Sequence, residues 1–190
     1  MKHHENVKII AFVGLTGGGK TAVVDYLTDK GYPKVYFGGI FYEAMREAGF
    51  TPGDWAVENP FRKAIREKEG NDFIVKRVIR QAHKLIESGQ HRIILDGLYS
   101  WTEYKALKHE FPGEMTVVAV VAPKHLRKQR LATRSERPLT STEVDERDWA
   151  EIENIEKGGP IAIADYYVHN DSDLDHLYKQ IDDILDNIDF

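Results

Sequence analysis

The stretch Gly14-Leu15-Thr16-Gly17-Gly18-Gly19-Lys20-Thr21 most constrains what this chain can fold into. It satisfies the pattern G-x-x-x-x-G-K-[ST] at every specified position, and its flanks suit the motif. Residues 7–13 form an apolar run that predicts a buried strand, and residues 21–27 open a helix. A strand that passes through glycines into a helix start turns several backbone N–H groups toward one point and adds the positive end of the helix dipole. Such a loop cradles phosphate oxygens. On this reading Gly14, Thr16, Gly17, Gly18 and Gly19 build the cradle and Lys20 reaches the β- and γ-phosphates of ATP. The Thr21 hydroxyl is then placed to ligate Mg2+.

The chain has 190 residues, of which 42% are hydrophobic and 30% charged, so it suits one globular domain spanning 1–190 with a sizeable core. A net charge of -5 gives no broad electrostatic reason to bind nucleic acid. The absence of cysteine excludes disulfides and cysteine-ligated zinc. Residues 1–6 are polar, unlike a signal peptide, and no stretch is apolar and long enough to span a bilayer. The expectation is a cytoplasmic protein without membrane or nucleic-acid partners.

Hydrophobic periodicity predicts alternating strands and helices. Residues 20–30 form a first helix closed by Gly31, and residues 33–37 a second strand broken by Gly38-Gly39. Helices follow over 40–48 and 59–69, and the clearest amphipathic helix covers 72–88. Strands at 92–96 and 115–122 are nearly continuous apolar runs, as in a parallel sheet covered on both faces. Ser100 with Glu103, and Thr140 with Glu143, make capping boxes. The second opens an acidic helix with Val144, Trp149, Ile152 and Ile155 expected to face inward, ended by Gly158-Gly159-Pro160. A strand at 166–169 and a helix capped near Ser172 close the chain. The alternation gives an α/β, doubly wound fold.

Asp96 ends the strand Ile93-Ile94-Leu95, at the edge where ligands gather in open α/β sheets. It suits a water-mediated contact to Mg2+ or the acceptance of a proton from an attacking hydroxyl. Arg127, Arg130, Arg134 and Arg137 follow at spacings of three, four and three, and share one face if their helix continues. A row of guanidinium groups suits triphosphate binding and transition-state charge, and without bound triphosphate it is expected to face solvent and be loosely held. Arg130 is read as a nucleotide contact, and Arg134 and Arg137 as contacts of the transferring phosphoryl group. Arg66 and Arg77 suit an anionic acceptor or a solvated surface. Tyr42 and Tyr99 follow the second and third strands, where an acceptor docks, and equally suit core packing.

The whole chain resembles the nucleoside monophosphate kinase and dephospho-CoA kinase group of P-loop proteins. The resemblance is carried by the phosphate loop, Phe37-Gly38-Gly39, residues 65–70, Lys76-Arg77, Asp96-Gly97, the arginine-rich stretch through Arg137, and residues 164–170 in that order. It implies a five-stranded parallel core, an acceptor-binding helical region over about 38–80 and a lid over about 124–160. It also implies phosphoryl transfer from ATP with Mg2+ to a small molecule such as a nucleotide, a nucleoside or dephospho-CoA. Gly39 stands where the group commonly has an acidic residue, and Tyr42 and Tyr99 where it commonly has acceptor-gripping arginines. The two tyrosine replacements favour a second reading, a nucleotide-dependent switch or regulatory ATPase without a small-molecule acceptor.

Overall fold

The computed structural model describes residues 6–53, 55–70 and 72–190, and leaves the side chains of Trp55, Ala56, Asn59, Arg62 and Arg66 outside that description. The role read for the Arg66 side chain therefore lies outside the described residues. Five strands form one sheet: β1 (Lys8–Val13), β2 (Lys34–Tyr36), β3 (Arg92–Asp96), β4 (Met115–Val121) and β5 (Tyr166–His169). Their order is β2-β3-β1-β4-β5, and every neighbouring pair is parallel. The fold is thus the doubly wound α/β architecture expected.

Alternation along the central strands divides the core into two layers. Ile9, Ala11, Val13, Ile93 and Leu95 face α4 (Phe73–Glu87) and α5 (Trp101–Glu110). Ile10, Phe12, Ile94, Val118 and Val120 face α1 (Lys20–Asp29) and α9 (Leu174–Asn187). The chain leaves β1 for one face of the sheet and β3 for the other, although these strands are neighbours. That divergence opens a crevice at their carboxyl ends, where the phosphate loop and Asp96 stand.

Three local readings change. Helix α2 (Phe37–Glu47) begins before Gly38-Gly39 and runs through them, because the Tyr36 ring lies where side chains at these positions would go. An added Cβ would stand 2.5 Å from the ring's hydroxyl at Gly38 and 3.0 Å from the ring at Gly39. Helix α3 (Trp55–Glu69) starts earlier than expected. Helix α6 (Lys124–Thr133) stops before Arg134, which is extended, and Arg137 has φ of 51°. The arginine row therefore does not share one helix face. Pro138 contributes, since a proline disfavours right-handed helical geometry in the residue before it.

The acidic helix α7 (Ser141–Glu153) is rotated from the expected face. Val144, Asp148 and Glu151 are buried, while Trp149, Ile152 and Ile155 are exposed. Ion pairs set this rotation. Arg127 of α6 grips Asp148 in bidentate fashion at 2.8 and 2.7 Å, with both side chains nearly removed from water. Gly158-Gly159-Pro160 begins the short α8 (Gly158–Ala162) rather than merely ending a helix, and α9 is capped by Asp173 rather than Ser172. Breaking a buried pair leaves an uncompensated charge. Asp148→Ala should lower unfolding free energy by about 3–5 kcal/mol in urea denaturation, and Arg127→Met combined with Asp148→Leu should recover most of the loss.

Candidate active site

The phosphate loop is pressed against the end of β4. A Cβ added at Gly14 would lie 2.4 Å from the Val120 carbonyl oxygen, and one at Gly18 would lie 2.9 Å from it. At Gly19, where φ is +100°, it would meet Asn170 Nδ2 at 1.9 Å. These glycines are needed for close approach, and Asn170 holds the result by donating from Nδ2 to the Gly18 carbonyl at 3.0 Å.

The loop floors a cleft of about 630 Å³. Lys20 and Asp96 meet there directly as a hydrogen-bonded ion pair, so the loop lysine and the strand-end carboxylate share one spot. Thr21 and Arg130 also line the cleft, with Arg134 at its margin. Arg130 donates from Nη2 to the backbone oxygen and Oδ1 of Asn170 at 3.0 and 3.1 Å, while its buried Nη1 has no partner. Arg134 donates from Nε to the Arg137 carbonyl. Arg137 is exposed and does not line the cleft. Arg127 is occupied by Asp148 and donates to the Thr16 carbonyl at 3.1 Å, which makes it a brace of the loop.

Of the acceptor-side residues, Tyr99 lines the cleft and Tyr42 and Arg77 do not. Tyr42 packs with Phe41 in a separate apolar cluster between α2 and α3. Arg77 pairs with Glu47 at 2.7 Å and Glu69 at 3.3 Å, beside a second, mainly apolar cavity of about 610 Å³. Burial pushes the Tyr99 hydroxyl well above the usual phenol range, assisted by Tyr36 and by the negative charge of Asp96. Tyr36, on the same wall, is raised by burial and then by Asp96.

Among the cleft residues that carried no motif in the sequence are Tyr36, Arg147, Glu151 and Lys157. Glu151 reaches back from α7 to accept from the Thr16 amide at 3.2 Å and the Thr16 hydroxyl at 2.5 Å. Lys157 pairs with Glu151 at 2.8 Å and sits 5.1 Å from the centre of the Tyr99 ring. The segment expected to form a lid is therefore docked on the loop through Glu151. The available signal was the i,i+4 spacing of Arg147 and Glu151; for Lys157, whose partner is set by the fold, there was none.

An AAA-domain family model matches residues 10–156, well over half of the chain. The chain belongs to the AAA-domain family. It also belongs with the UPF0200 proteins: the one from Sulfurisphaera tokodaii is 30% identical over 184 residues, covering 96% of this chain and 98% of that protein. Two solved kinases share the fold of this AAA-domain protein at low identity. Shikimate kinase from Bacteroides thetaiotaomicron superposes with a TM-score of 0.61 at 12% identity, covering 96% of this chain and 99% of that one. Dephospho-CoA kinase from Campylobacter jejuni gives 0.59 at 15%, covering 94% and 98%. The architecture is that of a P-loop, nucleotide-kinase-like protein. Among the described residues no helix is long and apolar enough to cross a membrane, and no group of three or more metal-binding side chains forms a metal site by itself.

Crowding at the loop is testable without ligand. Gly19→Ala should cost about 1–3 kcal/mol in chemical denaturation through the Asn170 clash and the positive φ. Gly31→Ala, with φ of +94° and open space around it, should cost less. Equal losses would show that crowding contributes nothing.

Proposed function

We propose that this protein is a cytoplasmic phosphotransferase that moves the γ-phosphoryl group of ATP, with Mg2+, onto a hydroxyl of a small, nucleotide-like acceptor. The observation that carries the reading is the meeting of Lys20 and Asp96 at the strand ends, in a cleft floored by the phosphate loop. A cation for phosphate oxygens and a carboxylate for a proton then stand side by side. The donor set fits a triphosphate, because Arg130 Nη1 is buried beside the loop without an acceptor.

In this reading the amides of the loop glycines and Thr16 cradle the phosphates, and Lys20 leaves Asp96 to contact them. The Thr21 hydroxyl and Asp96 are the oxygens placed for Mg2+, an ion that takes few protein ligands and, when bound with ATP, neutralises charge on the β- and γ-oxygens. Once Lys20 has turned to the phosphates, Asp96 is free to serve a water of that ion or the acceptor. In the second role it orients the acceptor hydroxyl and takes its proton. The acceptor oxygen–phosphorus bond forms as the bond between the γ-phosphorus and the bridging oxygen breaks. Arg130 and Arg134 counter the charge of the transferring group, and Arg137 joins them if its loop folds inward. Tyr99 shapes the acceptor side, while Tyr42, Arg77 and the Arg66 position belong to the helical region behind it.

One observation favours the rival reading of a regulatory ATPase: Trp149, Ile152 and Ile155 present an apolar face on the lid that suits a protein partner. Screening nucleoside monophosphates, nucleosides and dephospho-CoA for acceptor-stimulated ATP turnover separates the two. ATP with Mg2+ should raise the melting temperature, and Lys20→Ala should largely remove that shift. Asp96→Asn should lower turnover by about a hundredfold or more while changing ATP affinity much less. Turnover near wild type would assign Asp96 to the Lys20 pair alone.

A further inference from the structure

Glu151 is held in an arrangement that a structural clip does not require. Its two oxygens take the amide and the hydroxyl of Thr16, the third residue of the phosphate loop. Lys157 stands 2.8 Å from the same carboxylate, and Arg147 Nε contacts both Glu151 at 3.3 Å and the Thr16 hydroxyl at 3.0 Å. Every donor around Glu151 is of a kind that binds phosphate: a loop N–H, a hydroxyl, an ammonium and a guanidinium. The lid is fastened to the loop independently, through the Asp148–Arg127 pair and the Arg127 bond to the Thr16 carbonyl. That fastening does not line the cleft, whereas Glu151, Lys157 and Arg147 do.

The electrostatics place the group next to the phosphate-binding lysine. Burial, and then the charges of Arg147 and Lys20, hold the Lys157 ammonium below the usual lysine range despite the Glu151 counter-charge. Burial alone pushes the Glu151 carboxyl up, but Lys157 and the Thr16 bonds outweigh it and keep it below the usual range, so it is ionised at neutral pH. A buried anion thus sits among cations that converge on the loop.

We propose that Glu151 stands in for the terminal phosphate of a nucleoside triphosphate, and that binding the triphosphate transfers Thr16, Lys157 and Arg147 from the carboxylate to that phosphate. The idea rests on the phosphate-loop reading and adds a residue-level account of how a triphosphate is told from a diphosphate. A diphosphate leaves the Glu151 cluster in place. A triphosphate brings a second anion to the same donors, so Glu151 opposes it while Lys157 and Arg147 favour it. Two ends of one ion pair then act in opposite directions on ligand choice.

The test is the ratio of the dissociation constants for ADP and for the non-hydrolysable triphosphate AMPPNP, each with Mg2+, by titration calorimetry. Glu151→Gln, which keeps shape and removes charge, should raise the preference for AMPPNP about tenfold, and Lys157→Gln should lower it about tenfold. Arg147→Ala should lower it by less, since that side chain is half exposed. It also keeps the test open if Lys157→Gln fails to fold. Equal ratios, or both ends of the pair shifting the ratio the same way, would make the cluster a clip and overturn the proposal while leaving nucleotide binding intact. A wild-type chain that binds neither nucleotide overturns the phosphate-loop reading as well.

Discussion

The contact between the phosphate loop and the Val120 carbonyl governs the rest of the site. A main-chain oxygen at the end of β4 leaves room for a hydrogen atom, and for nothing larger, at Gly14 and Gly18. The loop can lie that low only because β1 is flanked by β3 and β4, with its own helix leaving for the opposite face from α5. Once it lies there, Lys20 reaches Asp96 on one neighbouring strand, and Gly18 reaches Asn170 beyond β5. Strand order permits the close approach, and the glycine content and the lysine–carboxylate meeting follow from it.

Charge is arranged around the loop in matched pairs. Asp96 neutralises Lys20, Glu151 neutralises Lys157, and Asp148 neutralises Arg127. The first two pairs line the cleft and the third is sealed behind it. Buried pairs contribute little net stability over apolar packing but are costly to break singly. Their placement here keeps several cations at the loop without mutual repulsion opening it. A row of bare arginines would be loosely held; the segment over 124–160 is docked because its buried cations Arg127 and Lys157 each have a carboxylate.

The sequence made the central strands β1, β3 and β4 legible because they are nearly continuous apolar runs, buried on both faces, that need no partner information to be recognised. The loop and both capping boxes were legible for a similar reason: each depends on near neighbours in the chain. The rotation of α7 was not. Trp149, Ile152 and Ile155 have helical spacing and look like a core stripe, yet the buried positions went to Asp148 and Glu151 because their partners, Arg127 and Lys157, lie on other elements. The arginine row failed likewise, since helical spacing implies a shared face only while the helix lasts, and α6 ends at Thr133. Tyr36 was hidden by its place in a strand, where nothing marks a ring folded over the following glycines.

The rotated helix has an optical consequence. Trp149 is 60% exposed on α7, so its indole emits from water. Trp101 instead stacks on Tyr104 at 5.2 Å, and a Cβ at Gly159, two residues beyond Lys157, would touch its ring at 2.8 Å. One indole therefore reports on the outer surface of α7 and another on the packing of α8 behind Lys157. Of the chain's three tryptophans, Trp101 and Trp149 thus stand in opposite environments, distinguishable by emission wavelength and by access to a soluble quencher.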